Sequence, residues 1–343
     1  MRKDPFSHSW VIFAADRNQQ NNYRHISGTD MLPEHCPFCP GNEGATPPEI
    51  IAIRPATSRG NTPGWSLRVI PNQFALLHIE GKFDRRGEGL YDMMNGIGAH
   101  EVIIEGPEHG IKFFNNSMEK MREILAMYRE RHCDLMRDNR FRHIQTFRNY
   151  AEPFSTVSHP HSQIMALPIV PRWVRSEIDH AYEYWQLKER CIFCDIITQD
   201  SRSPRLVYEN DNFTVLEPFA SRQPFETWIY PKDHAQSYHT ITDSALDSLA
   251  DALKVTLSAL AQALADPPYN MIFHSAPVQP EKRYNSERAR IQDFYHWHIE
   301  IIPHSAASIG LDYGTGFHIN SVMPEDAAEF MRSVIETANT TPI

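Results

Sequence analysis

Two Cys-x-x-Cys pairs, Cys36/Cys39 and Cys191/Cys194, and one His-Pro-His stretch containing His159 and His161 are the residues best suited to chemistry in this sequence. Cysteine thiolate and histidine imidazole are the preferred ligands of tetrahedral zinc, and two cysteines three positions apart supply half of such a site. The same pairs would suit a redox centre, but the βαβ pattern that surrounds a thioredoxin-type motif is absent here. No apolar run near the N-terminus suggests a signal peptide, so a secreted disulfide framework is not expected. The fifth cysteine, Cys133, falls in a helical pattern and is read as a small buried hydrophobe.

The elements that must position these groups occur twice. The first half runs "CPFC" (36–39), "LRVIPNQFALL" (67–77), "HEVIIEGPEHG" (100–110), a helix, then "FRNYAEPFSTVSHPHSQIMALPIVP". The second runs "CIFC" (191–194), "RLVYENDNFTVLEPF" (205–219), "FETWIYPKDHA" (225–235), a helix, then "YNMIFHSAPV" and "FYHWHIEIIPHS". Five elements in the same order indicate a duplication. In the first helix Met118, Met121, Leu125, Tyr128 and Leu135 form an apolar stripe after the cap candidates Asn116 and Ser117. In the second, Leu246, Leu249, Leu253, Leu257, Leu260 and Leu264 follow Asp243, and Pro267 and Pro268 stop the helix. Short β-rich runs at 102–105, 163–167, 227–230 and 298–302 flank these helices. One long helix among several strands, twice over, predicts an α+β fold with antiparallel sheet. The domains are expected at 1–178 and 179–343.

Duplication constrains the search for ligands. His109 after the third element matches His234, and His159 of His-Pro-His matches His296 of His-Trp-His. The expected sets are therefore Cys36, Cys39, His109 and His159, and Cys191, Cys194, His234 and His296. Each is a closed Cys₂His₂ quartet of structural type, predicting two zinc ions per chain. Glu177, His274 and His298 remain as a further cluster, read either as metal ligands or as polar residues lining a cleft.

His161 lies two residues beyond His159, so on a strand both would face one side, together with Gln163. A neutral imidazole there can attack phosphorus and form a reactive phosphoramidate, while the Gln163 amide donates to a phosphoryl oxygen. General base or additional ligand are the alternative roles for His161.

With "CPFCPGNEGATPPEI", "HEVIIEGPEH", "HPHSQIMALP" and "YGTGFHINSVMPEDAAEFMR", nearly the whole chain resembles the galactose-1-phosphate uridylyltransferase family, the transferase branch of the histidine-triad superfamily. The resemblance implies duplicated HIT-like domains, His161 as the nucleotidylated nucleophile, Gln163 as its partner and zinc on the first quartet. Some members carry iron where Glu177, His274, His296 and His298 stand, whereas plant-type adenylyl-transferring relatives carry a second zinc on a pair like Cys191/Cys194. It further implies nucleotide contacts from Arg17, Asn72, Gln73 and Asn149, and a homodimer. Two departures stand out: "RNQQNN" replaces the family's basic N-terminal stretch, and "AEPFSTVS" lacks the glycines that precede His-Pro-His. Ser155 and Thr156 there offer hydroxyls in place of close backbone N–H groups. Arg148, Lys282, Arg283, Arg288 and Arg290 are candidate anion contacts.

Composition sets the outer bounds. The 343 residues are 41% hydrophobic and 22% charged, as in globular proteins, and the formal charge of −10 disfavours a nucleic-acid partner. No apolar run reaches the length of a membrane span, and a cytoplasmic location is expected. The expected function is transfer of a nucleoside monophosphate from a sugar nucleotide to a hexose 1-phosphate. The alternatives are an ADP-sugar phosphorylase that uses inorganic phosphate and a non-catalytic, zinc-stabilised nucleotide-binding protein.

Overall fold

The computed structural model describes residues 2–4, 10–13, 32–151, 155, 157–285, 290–304 and 314–340. Arg17, Thr156 and Arg288 lie outside the described residues. In chain order the strands are β1 (Arg2–Lys3), β2 (Trp10–Phe13), β3 (Ile51–Ile53), β4 (Leu67–Pro71), β5 (Arg86–Glu88), β6 (Tyr91–Met93), β7 (Ala99–Ile104), β8 (His143–Tyr150) and β9 (His161–Leu167). They continue as β10 (Leu206–Glu209), β11 (Phe213–Leu216), β12 (Thr227–Pro231), β13 (Tyr269–His274), β14 (His298–Pro303) and β15 (His318–Asn320). The α-helices are α1 (Met118–Leu135), α2 (Arg172–Lys188), α3 (Ile192–Asp200), α4 (Asp243–Ala263), α5 (Ile291–Phe294) and α6 (Pro324–Thr340).

Ten strands form one sheet in the order β10-β11-β12-β14-β13-β8-β9-β7-β4-β3, antiparallel throughout. From the central β8–β13 seam outward, the first half reads β8, β9, β7, β4, β3 and the second β13, β14, β12, β11, β10. The long helix follows the third strand in each half, α1 after β7 and α4 after β12. The fold is thus α+β and duplicated, with the two halves sharing a continuous sheet.

Sequence chemistry explains the helix bounds. Ser117 caps α1 by accepting a hydrogen bond from the Lys120 N–H. The cap of α4 is Thr242, which accepts from the Ala245 N–H, and Asp243 is the first helical residue. Beyond α4, Ala265 and Asp266 take positive φ values of 54° and 63°, turning the chain before the two prolines. Leu246, Leu249, Leu253, Leu257 and Leu260 are fully buried against the sheet and α1. Each contributes about 1.5–3 kcal/mol by leaving water, so Leu253→Ala would undo much of this helix's docking.

Strand alternation divides the sheet into two faces. Ser162, Ile164 and Ala166 of β9, with Ile103 of β7 and Met271 and Phe273 of β13, face α1 and α4. His161 and Gln163, with His100 of β7 and Asn149 of β8, take the other face. In the second half that other face is covered. Val174 and Ile178 of α2, Ile192 and Phe193 of α3 and Phe294 of α5 pack there on Trp228 and Tyr230. Helix α2 was not anticipated, because its short apolar stripe is broken by charged residues. Among the described residues, a smaller cluster of Trp65, Ile70, Val102 and Ile104, with Phe38, lies on the equivalent face of the first half. His161 on this face is partly exposed, with neighbours drawn from this smaller cluster.

Candidate active site and metal centres

Both cysteine–histidine quartets assemble. In each, one ligand-type atom from every member lies within 4.8 Å of the others. Cys39 Sγ is 3.3 Å from His109 Nδ1 and 3.4 Å from His159 Nδ1. Cys194 Sγ is 3.2 Å from His234 Nδ1 and 3.5 Å from His296 Nδ1. The far nitrogens are also committed: His159 Nε2 donates to the Gly106 carbonyl at 2.8 Å, and His296 Nε2 to the Pro231 carbonyl at 2.9 Å. His234 Nε2 donates to the Gln292 carbonyl at 2.7 Å, and His109 Nε2 meets the Ser158 hydroxyl at 3.2 Å. A ring whose Nε2–H is held by a carbonyl presents its Nδ1 lone pair, which is the tautomer a metal requires. Two soft thiols and two such imidazoles suit a tetrahedral divalent ion of zinc type.

His159 lies just before β9 rather than on it, buried, while His161 opens the strand and is only partly covered. His161 Nδ1 donates to the His159 carbonyl at 2.8 Å. Its Nε2 therefore carries the lone pair and accepts no hydrogen bond among the described residues. Burial pushes the ring's pKa below the ordinary histidine value, which favours the neutral form a nucleophile needs. The Phe38 ring, from the first Cys-x-x-Cys loop, packs edge-on against His161 with centroids 5.2 Å apart. The quartet loop and the nucleophile candidate are thereby one packed unit.

The residues expected to meet a nucleotide are distributed unevenly. Asn72 reaches the cleft, its Nδ2 3.5 Å from Gln163 Oε1 and its Oδ1 accepting from the Phe74 N–H at 2.8 Å. Gln73 beside it is exposed. Asn149 lies on the cleft face of β8 and accepts from Asn270 Nδ2 at 2.8 Å. The Ser155 hydroxyl donates locally to the Val157 carbonyl at 2.8 Å. Arg148 is not an anion contact: alternation turns it to the helix face, where its Nε donates to Glu105 Oε1 at 3.0 Å. Ser162 and Tyr128 also hydrogen-bond Glu105, giving a buried polar network directly beneath β9. Arg283 pairs with Asp179 and Glu281, and Lys282 and Arg290 are exposed.

His100 was missed by sequence reasoning. Its Nε2 is 2.7 Å from Gln163 Oε1. The available signal was its place, two positions from Val102 at the head of a strand that runs beside β9.

The third cluster lies at the matching place in the second half. His298 Nε2 is 3.2 Å from Glu177 Oε1, His274 Nδ1 is 3.1 Å from Glu177 Oε2, and Glu300 lies 3.5 Å from His274 Nε2. Burial opposes charge on His274, but Glu300 and Glu177 hold its pKa up to about 10. Burial pushes His298 down to about 4.

Fold and site together define a duplicated α+β protein with two cysteine–histidine quartets and a partly covered histidine, His161, beside the first. The sequence matches the family described as galactose-1-phosphate uridyl transferase, with the N-terminal domain over residues 1–171 and the C-terminal domain over residues 177–339. It is 33% identical to ADP-glucose phosphorylase of Arabidopsis thaliana over 97% of this chain and 92% of that protein. It is 26% identical to galactose-1-phosphate uridylyltransferase of Thermotoga maritima, with 97% of both chains covered. A crystal structure of the Arabidopsis thaliana ADP-glucose phosphorylase with bound ADP-glucose superposes with a TM-score of 0.81 at 32% identity, covering 96% of this chain and 97% of that one. The chain belongs to the galactose-1-phosphate uridyl transferase family and is a transferase of that family. Among the described residues no helix is long and apolar enough to cross a membrane.

Proposed function

We propose that this protein transfers a nucleoside monophosphate from a nucleoside-diphosphate sugar to a phosphate acceptor through a covalent intermediate on His161. The observation that carries the reading is the His161 Nδ1 bond to the His159 carbonyl, which leaves Nε2 as the nucleophilic atom. In the first step Nε2 attacks the α-phosphorus, the bond from α-phosphorus to bridging oxygen breaks, and the sugar 1-phosphate leaves. In the second, an acceptor phosphate oxygen attacks the same phosphorus, the P–N bond breaks and neutral His161 returns. The Gln163 amide would donate to a non-bridging oxygen in both steps. Zinc on the two quartets would be structural, fastening the cysteine loops to the strands and supplying no group to the reaction.

For the particular donor and acceptor, ADP-glucose with inorganic phosphate is preferred to a UDP-sugar with a hexose 1-phosphate. Its support is the 33% identity to the ADP-glucose phosphorylase against 26% to the uridylyltransferase, at similar coverage. The experiment is incubation with ADP-glucose or UDP-glucose, read by intact-protein mass and by product analysis. An AMP adduct, and ADP plus glucose 1-phosphate once phosphate is added, is the expected result. A UMP adduct discharged by hexose 1-phosphate would move the assignment to the uridylyl reaction. Nucleotide binding with no adduct and no turnover on either donor would leave a binding protein instead.

A further inference from the structure

The group that aims the Gln163 amide is fixed by a chain of hydrogen bonds beginning at a backbone N–H. Leu76 N donates to His100 Nδ1 at 3.3 Å, so that nitrogen is the acceptor and the proton of the neutral ring sits on Nε2. Nε2–H then needs an acceptor, and the atom 2.7 Å away is therefore the carbonyl oxygen of Gln163. Asn72, its own orientation set by the Phe74 N–H, places its Nδ2 3.1 Å from His100 Nε2 and 3.5 Å from the same oxygen, so with the ring proton on Nε2 the two N–H groups stand side by side and share Gln163 Oε1 as acceptor. With its oxygen held from behind by two donors, Gln163 has only its NH₂ group to offer elsewhere. His100 is held in turn, since its carbonyl accepts from the Asn72 N–H at 2.8 Å and its side chain is buried. Close approach of the surrounding chain depends on Gly98, where a Cβ would stand 2.4 Å from the Ala166 carbonyl oxygen.

We propose that His100 is a positioning residue that locks the Gln163 amide with its NH₂ toward the phosphoryl group carried by His161. The proposal rests on the nucleotidyl-transfer reading above. It deepens that reading by making the donor geometry at Gln163 a property of the His100 tautomer rather than of Gln163 alone. An unlocked glutamine would present its oxygen to the phosphoryl group about as readily as its NH₂, and an oxygen facing a phosphoryl oxygen is repulsive. The second half lacks the device: Glu226 and Glu300 there are bridged by Arg222, whose Nη2 lies 2.5 Å from Glu226 Oε1.

The test is a set of variants assayed for the single-turnover rate of nucleotide attachment and, separately, for equilibrium binding of the sugar nucleotide. His100→Leu fills the space but removes the donor. It should slow attachment about 10- to 100-fold while binding weakens no more than about threefold. His100→Gln restores an N–H at the Nε2 position and should recover most of the rate. In a Gln163→Ala background, His100→Leu should cost nothing further, because its effect passes through the missing amide. Unchanged attachment in His100→Leu, or losses that multiply in the double variant, would overturn the proposal. If His100→Leu does not fold, His100→Asn, too short to reach Gln163, replaces it with the same expectations. A wild-type protein that forms no adduct sinks the parent reading, whereas equal labelling of wild type and His100→Leu sinks this one alone.

Discussion

His161 and His298 occupy matching places in the two halves of the sheet, and each donates its Nδ1–H to the carbonyl of the quartet histidine two residues earlier, at 2.8 Å and 3.2 Å. Their surroundings differ completely. His161 is partly exposed, whereas His298 is fully buried, stacked on Trp228 and His274 at 5.1 and 4.6 Å and closed off by Glu177 of α2. Duplication supplied two histidines at this place, and packing buries one fully while the other keeps part of its surface exposed.

Covalent labelling should therefore be confined to one peptide. After reaction with the donor, peptide mass mapping is expected to place the nucleotide on His161 and none on His298. His161→Ala should lose turnover by at least about 10⁴-fold while still binding nucleotide. Label on the His298 peptide would contradict the asymmetry described here.

Each quartet should hold its ion independently. Elemental analysis of the wild type is expected to give about two zinc ions per chain, falling to about one in Cys36→Ser and in Cys191→Ser. Both variants should melt at lower temperature, since metal binding free energy is folding free energy. Wild-type protein with one zinc or none would remove one or both sites.

Arg148 and Glu105 form a buried ion pair beneath β9, so breaking it should be costly. Arg148→Met leaves the carboxylate uncompensated and is expected to cost about 3–5 kcal/mol in urea unfolding. Adding Glu105→Gln should recover a large part of that loss. An Arg148→Met variant of wild-type stability would show the pair to be unimportant.

His132 and His143 give stability a dependence on pH. Burial, with His239 and His143 nearby, pushes His132 down to about 3, and burial pushes His143 down to about 4. The unfolded chain, with ordinary histidines near 6.5, binds these protons first, so stability falls as the pH drops from about 6.5 toward 4. Replacing one such group with His132→Gln should flatten that slope by about 1.4 kcal/mol per pH unit. Comparing the two proteins under identical conditions cancels acid loss of metal, which both share. An unchanged slope would mean that His132 is not buried neutral.

Much of the site was legible before any coordinates, because its signals are local and repeated. The two Cys-x-x-Cys pairs, the matched histidines and the strand–helix order recur in both halves, and that recurrence alone selected the eight quartet residues. The helix stripes were equally plain, since alternation at three and four is written along the chain. What only the tertiary structure decided depends on contacts between residues far apart in sequence. Arg148 turned from a candidate anion contact into a buried partner of Glu105 because the register of β8 sets which side chains face α1. His298 lost access to the cleft because α2, a helix with no clear stripe, folds across the second half. His100 gained a role because a backbone N–H from a neighbouring loop chooses which of its nitrogens carries the proton. Sequence determined which groups are present and how often; packing determined which face each takes, which tautomer its neighbours select and which of two equivalent histidines is fully buried.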